Sequence, residues 1–196
     1  MGHRAYVGGL WDEMGKLQFD FLVHEGLQRG DVLLDIACGS LRAGRYFIAY
    51  LDAGHYLGID KEPDLVNAGI RHELTADILR AKQPEFVISD SFEFGRFSKR
   101  PTFAIAQSLF THLPAYGIAQ CFAKVRASLK DHGRFYATYF QTQTQVQNES
   151  QPHDHHAFYY TKAEMEAFGM ESSFRSEYIG DWKHPRGQVI VRYVAA

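Results

Sequence analysis

The chain has 196 residues, of which 45 % are apolar and 22 % charged, enough for one soluble globular domain with a full core. Its 21 basic and 23 acidic residues leave a formal charge of −2, so neither nucleic acid nor an anionic membrane is an expected partner. Two cysteines, Cys38 and Cys121, make neither a disulfide framework nor a metal knuckle, and no apolar run is long enough to span a bilayer.

The first residues, MGHRAYVGGLWDEMG, lack the apolar centre of a signal peptide, and Tyr6 stands where a myristoylation signal wants Ser or Thr. A reducing cytoplasm is the expected setting. No internal repeat and no Pro/Gly/Ser-rich linker is visible, so the expectation is a single domain over 1–196, with 1–30 as an N-terminal helix and lid.

Along the chain, MGKLQFDFLVHEGL carries Leu17, Phe21, Leu22 and Leu27 as a helical stripe, ended by Gly26 and Gly30. DVLLDI is a short buried strand, LRAGRYFIAYL a helix from Leu41, and YLGID a second strand. EPDLVNAGIRHEL is a helix with Pro63 in its first turn, where a missing N–H costs little. EFVIS and TFAIAQ are the third and fourth strands, PAYGIAQCFAKVRASLK an amphipathic helix, and RFYATYF the fifth strand. The polar QTQTQVQNESQ reads as a mobile loop over the substrate rather than a strand, within a segment spanning 141–160. TKAEMEAFG is a short helix with a capping box from Thr161 and Glu164. FRSEYIG and QVIVRYV are too close for a crossover helix and should pair antiparallel around DWKHPRG.

This alternation predicts an α/β fold, Rossmann-like and doubly wound, with mostly parallel strands. Ligands in such sheets bind beyond the carboxyl ends of the strands, which points to the loops after Ile36, Ile59, Ser89, Gln107 and Phe140, and to the hairpin 181–187. A strand-to-helix turn aims free N–H groups outward, and an acid ending the second strand, Asp60, takes ribose hydroxyls in dinucleotide sites. A pyrophosphate needs G-x-G-x-x-G, but the frame here is Gly39-Ser-Leu41-Arg-Ala-Gly44, and Leu41 is expected to crowd a phosphate. A nucleoside without pyrophosphate fits better.

LLDIACGSLRAG followed by YLGID resembles the cofactor motifs of class I S-adenosylmethionine-dependent methyltransferases, and the resemblance extends over most of the chain. FVISDSFEF is similar to the family's third-strand motif, with Asp90 as its acid, AQSLFTHL to the end of its fourth strand, and DWKHPRGQVIV to a tail in a bacterial subgroup. The resemblance implies about seven strands with an antiparallel C-terminal strand inserted, and S-adenosylmethionine as cofactor. It implies a cofactor set of Asp35, Ala37, Cys38, Gly39, Ser40 and Arg42 after the first strand. Asp60 and Lys61 follow from the second strand, Asp90, Ser91 and Phe92 from the third, and Gln107 and Ser108 from the fourth. Where the family motif reads acid-x-Gly-x-Gly-x-Gly, this chain has Ala37 and Leu41 in place of two glycines, and Leu41 suggests an early helix start. Thr102 stands where the family often has Asp.

Direct methyl displacement needs alignment and exclusion of water, and a hydroxyl acceptor gains from a base. Histidine suits that role near neutrality. Of ten histidines, His112 directly after the fourth strand is the first candidate base and His184 the second. Trp11, His156, Trp182 and Arg186 are candidate substrate contacts. HDHH at 153–156 reads as a polar loop rather than a metal site, because adjacent residues rarely all face one ion. Gln107-Ser-Leu-Phe lacks the Asn-Pro-Pro-aromatic pattern of DNA amino-methylating and some protein-methylating enzymes, and Cys121, inside a predicted helix, lacks the Pro-Cys pattern of cytosine C5 enzymes. The expected activity is methylation of a small molecule, at oxygen first and nitrogen second. A non-catalytic binder of S-adenosylmethionine or S-adenosylhomocysteine and a nicotinamide-dependent oxidoreductase are the alternatives.

Overall fold

The computed structural model describes residues 2–6, 8–153 and 156–195. The chain divides into two compact units, Met1–Pro101 and Thr102–Ala196.

In the first unit, β1 (Leu33–Ile36), β2 (Tyr56–Asp60) and β3 (Glu85–Ile88) pair parallel in the order β3-β2-β1. β1 and β2 are buried at every position, as expected for parallel strands covered on both faces. Register Ile36↔Ile59 and Asp60↔Ile88 brings the three carboxyl ends to one edge. Three helices are near their predicted places: α2 (Trp11–His24), α3 (Gly44–Tyr50) and α4 (Pro63–Glu73). The face that α2 buries is Trp11, Met14, Gly15, Gln18 and Leu22, rotated from the leucine–phenylalanine stripe that periodicity suggests. The rotation follows from Gly15, which lets the helix close on the Arg42 carbonyl where a Cβ has no room. Two α-helices of this unit escape the sequence reading. α1 (His3–Tyr6) is one turn, and α5 (Ala76–Lys82) starts where Thr75 Oγ1 accepts the Ile78 N–H at 3.2 Å.

In the second unit, β4 (Phe103–Ala106) and β5 (Arg134–Gln141) are parallel, and β8 (Val189–Ala195) lies antiparallel between β5 and β7 (Phe174–Asp181). A two-residue β6 (Tyr159–Tyr160), not foreseen, adds parallel to β5 at Phe140–Gln141. α6 (Ala115–Ser128) begins after Pro114 and buries Ile118, Cys121, Phe122 and Val125, an i, i+3, i+4, i+7 face. α7 (Lys162–Glu171) opens with the predicted capping box. The core gathers around Phe122, whose ring meets Tyr193 edge-on at 4.7 Å and Phe135 at 5.3 Å. Gly169 lets α7 approach that cluster, since a Cβ there sits 2.8 Å from the Tyr193 ring.

Candidate functional site

The turn after β1 is tightly constrained. Ala37, Gly39 and Leu41 alternate in left-handed backbone, at φ 60°, 54° and 65°. Each non-glycine there costs about 1 kcal/mol, so the backbone keeps a glycine-motif shape without two of the glycines. The turn stays because its surroundings hold it. Cys38 N–H bonds to the Ile59 carbonyl at 3.1 Å, and Gly39 N–H donates to Asp60 Oδ2 at 2.7 Å. Gly69 of α4 closes from another side, where a Cβ would stand 2.6 Å from the Ser40 backbone.

Leu41 corrects two sequence expectations. Helix α3 begins at Gly44, not at Leu41. The Leu41 side chain is fully buried and reaches the positions a Cβ on Gly44 or Gly69 would occupy, so it fills the unit's core rather than crowding a ligand at the turn.

Asp35 and Asp60 are both buried but do different work. Asp35 accepts the Tyr56 hydroxyl at 2.7 Å. Burial pushes its carboxyl up to about 7; the Tyr56 bond opposes this, the Asp60 charge adds to it and Arg42 opposes it. Asp60 accepts two backbone N–H groups, from Gly39 on Oδ2 and from Glu62 on Oδ1 at 2.9 Å. Each oxygen keeps a second lone pair. Lys61 is exposed, 4.0 Å from Glu62. Beyond β3, Asp90 and Ser91 are exposed, Ser91 N–H bonds to Ser89 Oγ at 3.2 Å, and Phe92 is left-handed at φ 56°.

The N-terminal segment reaches the same turn. Ser40 Oγ lies 3.4 Å from the His3 carbonyl, and Arg42 donates to the Gly9 carbonyl at 3.1 Å. Arg4 makes two bonds to Glu73, at 2.8 and 2.9 Å, and His3 adds a third contact at 2.8 Å. Against the upward push of burial, these partners hold the Glu73 carboxyl below the usual range. The Trp11 indole, 8 % exposed, packs near the Arg4 and Arg45 guanidinium groups, 5.0 and 5.5 Å from the ring centre. Its N–H is buried with no acceptor among the described residues. An unmet buried donor costs about 1–3 kcal/mol.

The second unit holds a buried polar network at the carboxyl ends of β4 and β5. Ser108, left-handed at φ 60°, donates its N–H to Thr138 Oγ1 at 2.7 Å. The Gln188 amide meets both hydroxyls: Thr138 donates to its oxygen at 2.7 Å, and its nitrogen donates to Ser108 at 2.8 Å. Gln107 lies 2.6 Å from Ser108 Oγ and 3.1 Å from His184 Nε2. His184 Nδ1 faces the Arg186 N–H at 3.2 Å, so both ring nitrogens are engaged. Trp182 is buried beside it and donates to the Gln188 carbonyl at 3.1 Å, while Arg186 is exposed. Thr138 and Gln188 were absent from the sequence candidates. The signal for them was a polar residue within or beside an apolar strand, at Thr138 inside β5 and at Gln188 just before β8.

His112 follows β4 by one loop and is partly buried. Its Nδ1 is 3.0 Å from the His153 carbonyl, and its own carbonyl accepts the His153 N–H at 3.1 Å. A carbonyl only accepts, so Nδ1 carries a ring proton, and in the neutral ring Nε2 keeps a lone pair. His156 is exposed, stacked on His153 and bonded to Glu149. Asp154 and His155 lie outside the described residues. No helix among the described residues is long and apolar enough to cross a membrane.

No protein-family model matches the sequence, and no curated protein matches it. Solved structures do match by shape. Magnesium protoporphyrin IX methyltransferase from Synechocystis PCC 6803, with bound S-adenosylmethionine, aligns at a TM-score of 0.67 and 14 % identity, over 93 % of this chain and 81 % of that one. DesVI of Streptomyces venezuelae aligns at 0.71 and 15 %, over 94 % and 93 %. CalS10, an amino pentose methyltransferase from Micromonospora echinaspora bound to S-adenosylmethionine, aligns at 0.70 and 12 %, over 98 % and 94 %. The chain therefore has the α/β, Rossmann-like fold of these proteins, with mostly parallel strands and an antiparallel C-terminal strand.

Proposed function

We propose that the chain is an S-adenosylmethionine-dependent methyltransferase acting on a small molecule, at oxygen first and nitrogen second. The observation that carries this reading is the turn after β1, with its alternating left-handed residues clamped by Asp60. Two of the matched structures, the protoporphyrin and amino pentose methyltransferases, contain S-adenosylmethionine, which supports the choice of cofactor. When bound, that cofactor supplies a methyl group on a positively charged sulfur, ready for direct displacement.

The residues of this chain fit such a group. Asp60 keeps lone pairs for ribose hydroxyls while it holds the turn. The orphaned Trp11 N–H offers a donor to a polar atom of the ligand. Asp90, Ser91 and Phe92 after β3 are the candidates for adenine contacts. For the acceptor, His112 is the proposed base, because its Nδ1–H is held by the His153 carbonyl and its Nε2 can take a proton. His184, engaged on both sides, is assigned to positioning Gln107 and Ser108.

The test is thermal unfolding of the purified protein with S-adenosylhomocysteine, S-adenosylmethionine, NAD or nothing. A ligand at one hundred times its dissociation constant adds about 2.7 kcal/mol of stability, easily seen in the midpoint. S-adenosylhomocysteine should raise it and NAD should not; the reverse makes the chain an oxidoreductase domain. Once an acceptor is found, His112→Gln should lower kcat about 10²- to 10⁴-fold and keep S-adenosylhomocysteine affinity. Binding without turnover of any acceptor points to a non-catalytic binder.

A further inference from the structure

The loop 148–159 of the second unit collects two imidazoles and a carboxylate that the proposed methyl transfer does not use. The rings of His153 and His156 stack with centroids 4.1 Å apart and planes 3° from parallel. Glu149 bonds to Nδ1 of His156, and the ligand atoms of all three residues lie within 4.8 Å of one another.

Groups outside the cluster fix the backbone at His153 and beside Glu149. His153 is clamped through its backbone, donating its N–H to the His112 carbonyl and accepting from His112 Nδ1, at 3.1 and 3.0 Å. Asn148, next to Glu149, exchanges two bonds with the Tyr159 backbone, at 2.8 and 3.0 Å. The loop is thus tied at both ends and in the middle, and its donors converge. Two parallel imidazoles this close repel each other if both are protonated, and one carboxylate cannot neutralise two positive rings. A divalent ion suits two neutral imidazoles and a carboxylate.

We propose that Glu149, His153 and His156 bind a divalent transition-metal ion of the zinc type, with water in the remaining positions. Two nitrogens and one oxygen suit zinc, cobalt or nickel, whereas magnesium and calcium want all-oxygen sets. The ion takes the place of the hydrogen bond between His156 Nδ1 and Glu149. If His153 binds through Nδ1, that bond replaces its contact with the His156 N–H, now 3.1 Å. Zinc–ligand distances of about 2.0–2.2 Å are reached by side-chain rotation, since Glu149 and His156 are exposed. The inference stands apart from the methyl-transfer reading.

The experiment uses the full chain without an affinity tag, stripped by chelator and titrated with zinc chloride against a chromogenic competitor, with magnesium chloride as control. One zinc per chain is expected and no competition from magnesium. Glu149→Gln and His156→Ala should each weaken zinc binding more than about tenfold, while His24→Ala and His132→Ala leave it unchanged. A second readout needs no variant: zinc should shield His153 and His156 from diethyl pyrocarbonate in the wild-type protein. Absent stoichiometric binding, binding unchanged in both loop variants, or unshielded rings at saturating zinc overturns the assignment.

Discussion

Asp60 Oδ2 accepts the Gly39 N–H at 2.7 Å, so the acid that ends the second strand holds the turn that leaves the first. With Glu62 on its other oxygen, one carboxylate fixes two loops at the ligand edge of the first unit. A hydrogen bond to a charged group contributes about 1.5–3 kcal/mol. Asp60→Ala is therefore expected to lose about 2–4 kcal/mol in denaturant unfolding and to weaken S-adenosylhomocysteine binding in calorimetry. Asp60→Asn, which retains one acceptor oxygen, should fall between. Full stability in Asp60→Ala means the turn is held by its own backbone bonds.

Asp35 has its carboxyl raised to about 7 by burial, from an ordinary value of 3.8. The folded chain then binds more protons than the unfolded chain between these values. Stability due to this group is full below about pH 4, declines as pH rises, and levels off above about 7. A shift of this size corresponds to a few kcal/mol, at about 1.4 kcal/mol per pH unit. Urea midpoints of wild type and Asp35→Asn at pH 5 and pH 8 should diverge, with only the wild type carrying this decline. Parallel pH dependence in the two proteins overturns the expectation.

Ala37 and Leu41 share a strained backbone, yet glycine should affect them oppositely. Ala37→Gly relieves about 1 kcal/mol of left-handed strain and returns part of it as unfolded-state entropy, a net of about 0–1 kcal/mol in favour of folding. Leu41→Gly relieves the same strain but empties a fully buried site, which costs about 2–5 kcal/mol. Thermal midpoints of the two variants should move in opposite directions.

Gln188 serves two buried hydroxyls at once, on Thr138 and Ser108. Gln188→Ala should cost about 2–4 kcal/mol, because it leaves a cavity and unmet polar groups. Gln188→Leu with Thr138→Val should recover little of that loss, since the apolar pair takes these partners from the Ser108 N–H and hydroxyl. A double-mutant cycle measures the coupling, expected at about 0.5–3 kcal/mol; additive losses mean the two side chains act independently.

Much of this molecule was legible in one dimension. β2 was read at Tyr56–Asp60 and observed there, and the capping box of α7 was visible as Thr161 and Glu164. The antiparallel pairing of β7 with β8 followed from a loop too short for a crossover, and the insertion of β8 from the family resemblance. These features rest on local chemistry, on caps, turns and runs of buried apolar residues, which the order of residues already contains. α5 was missed because its buried side is weak: none of its residues is fully buried, so periodicity had little to report.

Other features needed the chain to fold. That Leu41 points into the core depends on Gly44 and Gly69, far apart in sequence, leaving room for its side chain. Which role a histidine can take depends on what each ring nitrogen meets, and His112 and His184 differ there. Glu149 lies outside the HDHH run, and a loop tied at Asn148 and His153 brings it near the same rings. Composition and pattern determine which elements form and in what order. Side-chain direction and long-range hydrogen bonding decide which atoms meet, because both are set by packing between segments that the sequence keeps apart.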